Sequence, residues 1–147
     1  MIDRTQRDAA RRVLRSFIDG EITNDDFEAR FPRSAEDSAI PAIKANVWML
    51  YSDLRQHKLT EKHPPNAANR AILERCVLFL ETNLEFEWPV PKISLSNIFT
   101  NLWSHAKARL GKPTSQPSEG DEDVWPFFRK QDHDKTAAQA GGPENSS

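Results

Sequence analysis

Apolar residues recur at three- and four-residue steps along much of the chain, a period that reads as helix. Ala9, Ala10, Val13, Leu14, Phe17 and Ile18 form the first such stripe and predict a helix from about Asp3 to Asp19. Asp3 suits the positive end of the helix dipole, and Gly20 can take the left-handed conformation that ends a helix. A short second helix is predicted from about Asn24 to Arg30. Thr23 is a good N-cap, Asp26 stands at the third position of a capping box, and Ile22 with Phe27 makes a hydrophobic staple. Pro32 then pushes Phe31 out of helical geometry.

Ile40, Ile43, Val47, Leu50 and Leu54, widened by Trp48 and Tyr51, predict a third helix over about Pro41 to Leu54, or from as early as Ser34. Pro41 is tolerated in a first turn, with Ser38 or Ile40 as the cap. A polar loop carrying Pro64 and Pro65 leads to Asn66, a fair N-cap. Ile72, Leu73, Cys76, Val77, Phe79 and Leu80 leave little polar surface on a fourth main stretch, about Ala67 to Thr82, expected to be the most buried. Ile98, Phe99, Leu102, Trp103, Ala106 and Leu110 predict a last helix from about Asn97 to Leu110, with Lys107, Arg109 and Lys112 at its negative end.

Between these last two helices the period changes to two. Leu84, Phe86 and Trp88 alternate with Glu85 and Glu87, which predicts an extended arm lying across helices with its aromatics on one side. After Gly111 the helical pattern lapses into a Pro- and Ser-rich stretch. Val124-Trp125-Pro126-Phe127-Phe128 then stands as an apolar island. Two readings are open for Trp125, Phe127 and Phe128: folding back onto a groove of the helical domain, or presentation to another protein. Free exposure of three aromatics invites aggregation, which favours docking. The chain is expected to divide into a helical domain at 1–111, a linker at 112–122, a docking segment at 123–134 and a disordered tail at 135–147. The fold expected is all-α: a small bundle of four main helices plus one short helix, with the arm and the C-terminal aromatic segment packed on it.

Composition limits function more than it defines it. The 147 residues suit one domain with a modest core. Net charge is -2, distributed as +1 over residues 1–111 and -3 over residues 112–147. No global field draws such a chain to nucleic acid or to an anionic membrane. Mean hydropathy is -0.70, low for a fully packed chain. The single cysteine excludes an intrachain disulfide and suits a reducing compartment. No apolar run is longer than that from Cys76 to Leu80, far short of the roughly 20 residues of a spanning helix. The polar start, Met1 to Asp8, has no apolar segment after it, so a cytoplasmic protein is expected.

The common catalytic patterns are weak or missing. The helical region contains no clustered glycines for a phosphate loop. Cys76 lies within an apolar helix and reads as core. His57, His63, His105 and His133 match no metal-ligand spacing, and Ser104 cannot face its neighbour His105 on a helix. No cofactor or metal is implied. Glu85 and Glu87 would lie about 7 Å apart on one side of the arm, where they could serve a metal-dependent hydrolase. The alternation already accounts for them as the wet side. Arg4, Arg7, Arg11, Arg12 and Arg15 make the first helix basic, which raises a nucleic-acid contact as a further alternative. A solvated face, partly paired with Asp3 and Asp8, is favoured over it.

The stretches Phe17 to Glu28, Leu50 to Leu54, Glu74 to Leu80, Glu85 to Pro89 and Val124 to Phe127 are together similar to a group of small, uncharacterised bacterial all-helical proteins. The resemblance extends to about residue 134 and rests on caps, core stripes and aromatic-proline corners. It implies that the tail motif belongs to the fold, and it brings no catalytic residue with it. The function expected is that of a non-catalytic protein-binding module, in its most specific form a bacterial immunity or inhibitor protein that neutralises a toxin encoded nearby. Glu21, Asp25, Asp26 and Glu28 are the first candidate contact residues, and Asp121, Glu122 and Asp123 the second.

Overall fold

The computed structural model describes residues 1–51, 58–59, 65–89 and 120–141. The expected helix over Asn97–Leu110, the linker from 112 to 119, and His57, His63 and His105 lie outside the described residues. Met1–Trp88 and Gly120–Ser147 form one compact unit, and Pro89–Glu119 fall in another. The first unit is all-α, with no strand among the described residues. Its elements are α1 (Arg4–Ile18), α2 (Asn24–Arg30), α3 (Ala39–Met49), α4 (Ala67–Leu80), a 3-10 turn (Glu122–Val124) and α5 (Lys130–Ala140).

Local chemistry sets most of the helix ends. Asp3 accepts from the Gln6 N–H at the start of α1, and Gly20 follows its end with φ 72°. At α2 the capping box is complete, with Thr23 accepting from the Asp26 N–H while the Asp26 carboxylate accepts from the Thr23 N–H. Asn66 accepts from the Asn69 N–H at α4. Helix α3 stops at Met49, five residues before the expected Leu54, because the Leu50 N–H turns back to the Val47 carbonyl. Tyr51 then leaves the helix and sets its ring edge-on to Phe17, 5.1 Å between centroids.

The core is continuous from α1 to the aromatic segment. Helix α1 packs on α2, α3 and α4, and α4 also carries α5. Leu14, Phe17, Phe27, Ile40, Ile43, Val47, Leu73 and Phe79 are all at or below 1% exposure. Burial of each such side chain is worth about 1.5–3 kcal/mol. Phe17 stacks on Phe27 at 4.9 Å, and Phe27 meets Phe31 at 5.0 Å. The arm keeps its two-residue alternation: Leu84, Phe86 and Trp88 are half-buried, and Glu85 and Glu87 are exposed.

The aromatic segment closes the same core. Phe127 is fully buried and stands edge-on to Phe79 at 5.2 Å, with Val124 beside it at 6% exposure. The Trp88 indole N–H donates to the carbonyls of Pro126 and Phe127, and Arg75 Nε donates to that of Trp125. Trp125 and Phe128 are only half-buried. The expected boundaries need two corrections. Glu122, assigned to the linker, belongs to the 3-10 turn, and residues 135–140, expected to be disordered, form the last turns of α5. Their Ala-rich run lacks an apolar stripe, which is why composition reads as disorder although Ala, Gln and Lys are strong helix formers.

Candidate functional site

The arginines of α1 were candidates for a free cationic face. Most of them serve the fold instead. Helix α4 has no basic residue in its last turn; Glu81 and Thr82 answer the carbonyls of Val77, Leu78 and Phe79, and the carbonyls of Leu80, Thr82 and Leu84 take their partner from elsewhere. Arg4 and Arg7 supply one from α1. Arg4 donates to the carbonyls of Leu80 and Thr82, and Arg7 Nη1 donates to those of Thr82 and Leu84 at 3.0 and 2.8 Å. Arg15 pairs with Glu74 through both terminal nitrogens, and Arg11 with Glu81 at 3.2 Å. The Glu74 hydrogen bond is the main reason the Arg15 pKa is raised. Arg12 alone of the five is exposed and makes no ion pair among the described residues.

Arg7 is completely buried. Its Nε and Nη2 donate to the two carboxylate oxygens of Asp37 at 2.6 and 3.1 Å, and its guanidinium lies 5.1 Å from the centre of the Phe79 ring. Asp37 also accepts from the backbone N–H groups of Asp3 and Ala39. Burial raises the Asp37 carboxyl. The bonds from Arg7 and the two backbone amides outweigh that penalty and hold its pKa below the ordinary value. A buried pair this fully bonded is tolerated in a core and fixes where α1, the 34–38 turn and the arm meet.

The arm carboxylates are exposed, and each stands beside a cation. Glu87 binds Arg129 in a fork, with both N···O distances 2.8 Å. Glu85 lies 3.5 Å from the Met1 amine. Among the described residues, no group of three or more His, Cys, Asp and Glu side chains converges as a metal site. Cys76 is buried, and desolvation pushes its thiol pKa far up, away from the reactive thiolate. His133 stands edge-on to Phe127 with Nδ1 3.0 Å from Asp134.

The candidate acidic residues divide by role. Glu21, Asp25 and Glu28 are exposed along α2 and its approach. Asp26 turns inward to its capping box, where the bond from the Thr23 N–H lowers its pKa, and it lies 3.9 Å from Arg30. Glu28 is tethered, its carboxylate accepting from the Tyr51 hydroxyl and its carbonyl from Lys44 Nζ. Asp121 caps the 3-10 turn by accepting from the Asp123 N–H. Glu122 and Asp123 are exposed. The side chains of Glu21, Asp25, Glu122 and Asp123 thus carry no ion pair or hydrogen bond among the described residues. Sequence reasoning missed the two open grooves beside α5, of about 540 and 420 Å³. They depend on a helix that composition did not reveal. No family model, no curated protein and no solved structure matches this chain.

Proposed function

We propose that the chain is a non-catalytic protein-binding module that meets a basic partner through its exposed carboxylates. One observation carries this reading. The fold draws four of the five α1 arginines into internal bonds while it leaves Glu21, Asp25, Glu122 and Asp123 exposed and unpaired among the described residues. Unpaired surface carboxylates steer a cationic partner and suppress anionic ones. The most specific form of the reading is an immunity or inhibitor protein that caps a toxin or enzyme made in the same bacterial cytoplasm.

The test compares the native chain with a variant carrying Glu21→Gln, Asp25→Asn, Glu122→Gln and Asp123→Asn, which keeps shape and removes charge. Affinity capture from the producing cells should retain a basic protein on the native chain and lose it on the variant. Retention should weaken as salt rises from about 50 to about 300 mM, as surface charges become screened. Identical captures by the two chains would overturn the proposal. For the immunity form, co-expression should neutralise the product of an adjacent gene.

A further inference from the structure

We draw no further inference here: the strongest candidate, the half-buried aromatic surface patch of Trp88 and Phe128 where the arm meets the C-terminal aromatic segment, carries nothing because nothing among the described residues shows what covers it.

Discussion

An arginine with no exposed atom needs every charge and donor answered, and Arg7 shows what that requires. Asp37 takes two of its donors, the Thr82 and Leu84 carbonyls take two more, and Phe79 covers the guanidinium face. Removing one partner strands the other in the core. Arg7→Ala should cost about 3–5 kcal/mol in urea unfolding. Asp37→Asn tests the same pair by pH. The folded carboxyl lies below its ordinary value of 3.8, so between the two values the unfolded chain binds more protons. The pair's contribution is complete above the ordinary value and is lost as the pH falls through the lower, folded one. Melting temperature should therefore fall steeply below about pH 4 in the native chain and less steeply in Asp37→Asn. Gly120 is a second residue without slack. A Cβ there would stand 2.8 Å from Phe128 ring carbons and from Trp88 Cη2. Gly120→Ala should destabilise by about 1–3 kcal/mol and alter the Trp88 fluorescence, since one of the two rings must move.

At the level of elements, the arm does what a second helix end would otherwise do. It answers Arg7 with the Leu84 carbonyl, sends Leu84 and Phe86 against the core, and anchors the aromatic segment through Trp88. Trp88→Phe keeps an aromatic ring and removes the N–H shared by the Pro126 and Phe127 carbonyls. The expected loss is about 1 kcal/mol, with faster amide exchange confined to residues 120–129. The caps at Thr23, Asn66 and Gly20 and the alternation in the arm were legible in the sequence because each is a local rule. Arg7 was not, because its partners lie 30 to 77 residues away and helical periodicity assigns any arginine to a wet face. Helix α5 was hidden for the opposite reason: its inward stripe is polar, so no period marks it. Among the acidic candidates, Asp26 was the ambiguous one. A single carboxylate could serve the capping box or a partner, and the box, three residues from its cap, takes it.

The unit formed by Met1–Trp88 and Gly120–Ser147 is held unevenly along its C-terminal part. Residues 120–128 insert Val124 and Phe127 into the common core, whereas no residue of 130–140 is itself buried. A tail that merely followed the domain would show the same small effect wherever it was cut. One that closes the core should show a step. A chain ending at Arg129 keeps the Glu87–Arg129 pair and should lose about 1 kcal/mol or less, since only half-exposed contacts go with α5. A chain ending at Glu119 should lose about 3–5 kcal/mol or more, since Phe127 leaves a cavity against Phe79. Urea unfolding of the two chains beside the full one measures the step. A uniform decline would mean that the aromatic segment is no part of the core. A step at 120–129 would place Val124 and Phe127 in the core that holds the unit together and leave α5 outside it.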